Sequence, residues 1–173
     1  MSTARPSGPA SAAGVVLVCG PAGAGKSTYA RALGRAGYVV LSFDREAWAR
    51  GLRSHPLSDR DAAALHRSLQ ARLVELVATG ERVVVDTSFW SRALRDRYRD
   101  LVRPLGVEAE VHYLDTPRDV VLARLAARRH GGPDDVLVPP DRAAAYLDGF
   151  QAPTPDEGPL VVLDGADRAT IVE

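Results

Sequence analysis

A single cysteine, Cys19, leaves this 173-residue chain without a partner for an internal disulfide and without a cysteine cluster for a metal. Acidic and basic residues balance at 22 each. The chain therefore lacks the basic excess of proteins that coat nucleic acid or anionic membrane. No apolar run approaches the roughly 20 residues that cross a bilayer. The opening "MSTARPSGPASAAG" has no apolar core of signal-peptide length, and residues 1–13 read as a flexible leader before one domain over 14–173. Together these absences point to a soluble chain of the cytoplasm. Lysine is scarcer still: Lys26 is the only one, and every other basic residue is arginine. A lysine at that place departs from the chain's own habit.

What is present alternates. "GVVLVCG" (14–20), "YVVLSF" (38–43), "RVVVD" (82–86), "EAEVHYLD" (108–115) and "PLVVLDG" (159–165) read as strands, the first and third apolar enough to be buried on both faces. Helical stretches lie between them. Ser58 followed by Asp61 predicts the start of a long helix that Gly80 ends, and Ser91 can cap "RALRDRYRDLVRPLG". Thr116 is expected to cap a further helix, with Pro117 at its first position, that runs to His130. Strands alternating with helices predict an α/β fold with a parallel sheet and right-handed crossovers. Such sheets bind ligands beyond the carboxyl ends of their strands, where Cys19–Gly20, Phe43–Asp44, Asp86–Thr87 and Asp115 all fall.

"GPAGAGKST" (20–28) has the G-x-x-x-x-G-K-[ST] form, with a strand before it and a helix after it. Gly20, Gly23 and Gly25, with Ala22 and Ala24 between them, let backbone N–H groups turn inward around phosphate oxygens; the helix N-terminus adds positive potential. Lys26 reaches the β and γ phosphates, Ser27 can ligate Mg²⁺, and Thr28 completes the motif. The ligand is thus ATP or GTP with Mg²⁺. "RVVVD" supplies an acid, Asp86, that can hold the metal or contact substrate, or else serve only the turn into the next helix. Motor ATPases place a glutamate next to activate water, but Thr87 follows here. A single lysine, already used at Lys26, leaves none for a guanine-reading N-K-x-D tetrapeptide. Motors and switch GTPases are disfavoured, and the size suits a small phosphotransferase.

"GPAGAGKST", "LSFDR", "VVVDTSFWSRALRDRYR", "VVLARLAARR" and "FQAPTPDEGP" together resemble the small P-loop kinases grouped as AAA-type ATPase domain 33. That group is related to the kinase domain of polynucleotide kinase, to zeta toxins and to chloramphenicol phosphotransferase. The resemblance covers roughly residues 14 to 165. It implies a P-loop NTPase three-layer sandwich with five parallel strands in the order 2-3-1-4-5 and a mobile lid. It also implies that "FQAPTPDEGP" brackets the nucleotide base. The implied activity is transfer of a γ-phosphate to a hydroxyl of a small molecule. Kinship with chloramphenicol phosphotransferase leans towards an antibiotic or nucleoside-like metabolite, hence a resistance or self-protection enzyme. The alternatives are a nucleic-acid 5′-hydroxyl kinase and a nucleotide-binding module without turnover.

The remaining candidates each carry two readings. Asp44 can be the N-cap of the helix after the second strand. It can also be the general base that takes the acceptor's proton, a role the resemblance assigns to an Asp at this place. Arg124 and Arg128, four apart on one helical face, with Arg129 beside them, suit lid arginines that clamp the transferring phosphate, or else a solvated face. Arg45 can position the acceptor. Arg92 and Arg95 can read an anionic acceptor or simply lie exposed. Phe89 and Trp90 can floor the acceptor pocket or pack into the core. The four histidines have no metal-ligand spacing, and His55 is a candidate for the substrate side.

Overall fold

The computed structural model describes residues 14–53, 56–129, 132–134 and 138–167. The leader, His55, His130, part of the expected lid and residues 168–173 lie outside the described residues. Five strands, β1 Val15–Cys19, β2 Val39–Ser42, β3 Val83–Asp86, β4 Glu110–Asp115 and β5 Leu160–Asp164, form one parallel sheet in the order β2-β3-β1-β4-β5. This is the implied topology.

Helices cover both faces, which is why β1 can be apolar throughout. Val15, Leu17 and Cys19 point to the side of α3 (Asp59–Ala78) and α4 (Arg92–Val102), packing with Leu73, Tyr98 and Val102. Val16 and Val18 point to the other side, where α1 (Lys26–Arg35) supplies Ala30 and Leu33. A smaller cluster joins α2 (Phe43–Ala49) to α3 through Phe43, Ala47, Leu65 and Leu69. Register brings Val18 and Ser42 level with Asp86, so the ends of β1, β2 and β3 meet along one edge.

The predicted caps of the long helices hold: the Asp61 amide donates to Ser58 Oγ at 3.0 Å, and the Leu94 amide to Ser91 Oγ at 3.3 Å. Three boundaries differ. The cap of α2 is Ser42, whose hydroxyl accepts from the Arg45 amide at 3.3 Å, so Asp44 is the second residue of the helix and not its cap. The fifth helix, α5, spans Arg118–Ala126, and the chain leaves it at Ala127. Arg128 and Arg129 therefore lie beyond the helix and not on one face with Arg124. Thr116 does not cap α5; its hydroxyl donates to the Ala24 carbonyl at 3.2 Å, tying the phosphate loop to the end of β4. Helix α6, Pro140–Asp148, packs on α5.

Candidate active site

The turn from β1 into α1 is built on left-handed backbone. Gly23 sits at φ 83° and Gly25 at φ 100°. A Cβ at Gly23 would also lie 3.1 Å from the Val121 carbonyl oxygen, so a larger residue is both strained and crowded. Gly20 and Ala24 are buried beneath the loop, while Ala22, Gly23, Gly25, Lys26, Ser27 and Thr28 line a cavity of about 680 Å³.

Lys26 Nζ donates to the Pro21 carbonyl at 2.9 Å, and Ser27 Oγ donates to Asp86 Oδ2 at 2.8 Å. Burial pulls the Lys26 ammonium below its ordinary pKa; the Asp86 and Asp44 carboxylates oppose that, and Arg128 adds to it. Burial likewise raises Asp86 above the usual carboxylate range, against the pull of Lys26 and the Ser27 hydrogen bond. A divalent cation fits this place. Ser27 and Asp86 offer hard oxygen donors to one point, and a buried acid beside a single lysine is short of positive charge. Among the described residues no three His, Cys, Asp or Glu side chains form a metal cage. Two protein donors match a Mg²⁺ site completed by phosphate and water.

Asp44 faces the same cavity from the start of α2. The loop after β3 contributes Thr87, Ser88 and Trp90; α3 contributes Asp59, Ala62 and His66. Arg124 and Arg128 both line the cavity but are held differently. Arg124 is pinned by backbone carbonyls, most closely Gly165 at 2.8 Å, with Gly23 and Ala24 at 3.4 Å. Arg128 is the arginine whose charge reaches Lys26.

The other three arginines are placed elsewhere. Arg45 pairs with Asp134, which also binds Arg31. Arg92 is half-exposed and pairs with Asp156. Arg95 is fully buried: Nε and Nη2 take both oxygens of Glu157 at 2.7 and 2.6 Å, and Nη1 donates to the Phe89 and Gln151 carbonyls at 2.8 Å. With these donors committed, Arg95 has no part in reading an acceptor, and neither Arg45 nor Arg92 lines the cavity. Phe150, the first residue of "FQAPTPDEGP", lines the cavity, whereas Gln151–Gly158 does not; that segment is fastened to α4 through Arg92 and Arg95 and staples the loop after β3.

Sequence reasoning passed over several cavity residues: Asp134, Arg142, His66, Tyr146 and Leu57. None stands in a motif, and helical periodicity offers His66 only as one more residue of α3. Its ring lies 4.8 Å from that of Phe43, and its Nδ1 is 2.9 Å from the Tyr98 hydroxyl. Burial, helped by the Arg97 charge, lowers its pKa to about 4. His66 is therefore neutral at pH 7. As pH falls from 6.5 towards 4, the unfolded chain takes up a proton here that the folded chain refuses, and stability declines. Melting temperature followed over that window is expected to fall less steeply in His66→Gln; an unchanged slope would contradict this account.

A strand-terminal phosphate loop, a hydroxyl and an acid for a cation, and further carboxylates on the same sheet edge call for comparison with known proteins. The family model described as an AAA domain matches residues 15–153. The chain belongs to that family. As an AAA-domain P-loop kinase relative, it shares its fold with a sugar kinase from Janibacter sp. HTCC2649 at TM-score 0.68 and 24% identity, over 91% of this chain and 89% of that one. A gluconokinase from Sinorhizobium meliloti 1021 aligns at TM-score 0.67 and 25% identity, over 93% and 88%. Kti12 from Chaetomium thermophilum, in complex with ADP-AlF3, aligns at 0.68 and 18%, over 91% and 93%. No curated protein matches the sequence. The family and these neighbours support a P-loop kinase. No described helix is long and apolar enough to cross a membrane.

Proposed function

We propose that the chain is a Mg²⁺-dependent phosphotransferase that moves the γ-phosphate of ATP, or of GTP, onto a hydroxyl of a small molecule. One observation carries this reading: Asp44, released from capping duty by Ser42, faces the cavity that also holds Lys26, Ser27 and Asp86. The gluconokinase and sugar kinase alignments are consistent with a small hydroxyl-bearing acceptor. An antibiotic or nucleoside-like metabolite remains within the proposal.

The roles follow from position. The amides of residues 22–28 and Lys26 hold the polyphosphate. Ser27 and Asp86 would hold Mg²⁺, which supplies charge neutralisation at the phosphates. Asp44 orients the acceptor hydroxyl and takes its proton. The acceptor oxygen bonds to the γ-phosphorus as the bond from phosphorus to the β–γ bridging oxygen breaks, leaving a nucleoside diphosphate and a phosphate monoester. Arg128 neutralises charge that spreads over the transferring group. Arg124, held among the carbonyls of Gly23 and Gly165, positions nucleotide.

The test is incubation of the protein with Mg²⁺ and γ-labelled ATP or GTP across a broad metabolite panel, read by mass spectrometry for a gain of one phosphate. Label is expected on at least one hydroxyl compound, and Lys26→Met is expected to abolish it. Label that appears only as inorganic phosphate across the panel would sink the kinase reading.

A further inference from the structure

The cavity wall that carries Asp44 differs in chemistry from the wall that carries the phosphate loop. Around Asp44 stand Phe43, Pro56, Leu57, Ala62 and His66, with Asp59 as the other charged group of that wall. None of these is a cation at neutral pH. Of the arginines best placed by sequence to read an anion, Arg92 and Arg95 are paired away from the cavity, and Arg45 is neutralised by Asp134 at its rim. Among the described residues of this wall that line the cavity the charged groups are these two acids, which repel an anionic acceptor.

The loop after β3 and helix α6 bring to the same cavity two aromatic side chains that folding leaves open. Trp90 is 53% exposed and Tyr146, on α6, 39%, and both line the cavity. Trp90 is put there at a cost. Phe89 has φ 46°, left-handed backbone that strains a bulky non-glycine residue. That turn sends Phe89 into the core, where it is fully buried against Tyr98, and leaves the next residue facing outward. The turn is fastened on both sides. Arg95 Nη1 holds the Phe89 carbonyl at 2.8 Å, and the Gln151 amide holds the Trp90 carbonyl at 2.9 Å. A strained, doubly fastened turn that presents an open tryptophan to the reaction cavity is a built feature of the acceptor side.

We infer that the acceptor is an alcohol without negative charge whose bulk is a ring or other apolar group, seated on Trp90 and Tyr146, with His66 as its polar partner beside Asp44. This rests on the phosphotransferase reading and narrows its substrate class. A sugar acid, or a nucleic-acid end carrying phosphates, does not suit this wall. Arg31, Arg124, Arg128 and Arg142 also line the cavity; of these Arg142 shares α6 with Tyr146 and would serve an anionic acceptor if one were used.

The experiment sets two matched panels against the full chain with Mg²⁺-ATP: neutral aromatic or alicyclic alcohols, and sugar acids with nucleoside 3′-phosphates. Transfer to members of the neutral panel is expected. Trp90→Ala is expected to raise the KM of the best acceptor by about tenfold or more, the scale of losing an aromatic anchor, with the KM for ATP and the melting temperature unchanged. Preference for the anionic panel, with activity lost in Arg142→Ala, would overturn the proposal and leave the kinase reading standing. An acceptor KM untouched by Trp90→Ala would overturn the assigned seat. No transfer to either panel, with label still moving to another hydroxyl compound of the broad metabolite panel, would overturn this proposal and leave the kinase reading standing.

Discussion

Asp44→Asn is expected to lower kcat for phosphoryl transfer by about 10²–10⁴-fold, the usual contribution of a positioned general base, without weakening nucleotide binding. The substitution keeps the size and shape of the side chain and removes its capacity to take a proton. Because Ser42 caps α2, no helix cap is lost with the carboxylate, and the melting temperature is expected to stay close to that of the parent chain. In the proposed mechanism nucleotide contacts lie with Lys26, Ser27 and the loop amides, and removing one negative charge from the cavity does not weaken them electrostatically. Single-turnover transfer from γ-labelled ATP and a nucleotide titration on the same preparation separate the two effects. A module that binds nucleotide without turnover would behave identically with either residue. Turnover preserved in Asp44→Asn would move the base elsewhere.

How much of this was legible in the sequence depends on how locally each feature is encoded. The phosphate loop is contiguous, and glycines, lysine and serine at fixed spacing define it before any tertiary contact forms. The strand pattern was equally plain because a strand buried on both faces has to be apolar throughout. The site residues around it were harder. Asp44 and Ser42 are two residues apart and both are good capping types, so only the backbone decides which one caps. Arg124 and Arg128 looked like a helical pair, yet the helix ends between them and gives them different partners. Arg95 was the least legible. Its partner Glu157 lies 62 residues along the chain, and nothing in an arginine-rich helix marks one guanidinium as buried. Trp90 and His66 become visible only when separate elements close one cavity.

Glu157→Ala is expected to cost about 3–5 kcal/mol of folding stability, the scale of breaking a buried ion pair by removing one partner. Arg95 and Glu157 are 0% and 2% exposed, and Arg99, 6% exposed, donates to the same carboxylate at 3.2 Å. Removing the carboxylate leaves the buried Arg95 guanidinium without a counter-charge and leaves Arg99 with Asp96 alone, at 3.2 Å. Burial by itself raises the Glu157 carboxyl, but the hydrogen bonds from Arg95 and Arg99 outweigh it and hold the group below its ordinary value of 4.5. The sign follows from linkage: a depressed folded value gives stability that is fully present above about pH 4.5 and is lost as pH falls through the folded value. Denaturant midpoints measured at neutral pH and in acid should therefore separate the parent from Glu157→Ala widely at pH 7 and less so in acid. Equal midpoints at pH 7 would show that the pair contributes nothing. The consequence reaches the acceptor side. Arg95, oriented by Glu157, also holds the Phe89 carbonyl, so a stabilised background that tolerates Glu157→Ala should let the left-handed turn relax and withdraw Trp90 from the cavity. Acceptor KM should then rise while nucleotide KM stays put, which a purely global loss of stability would not produce.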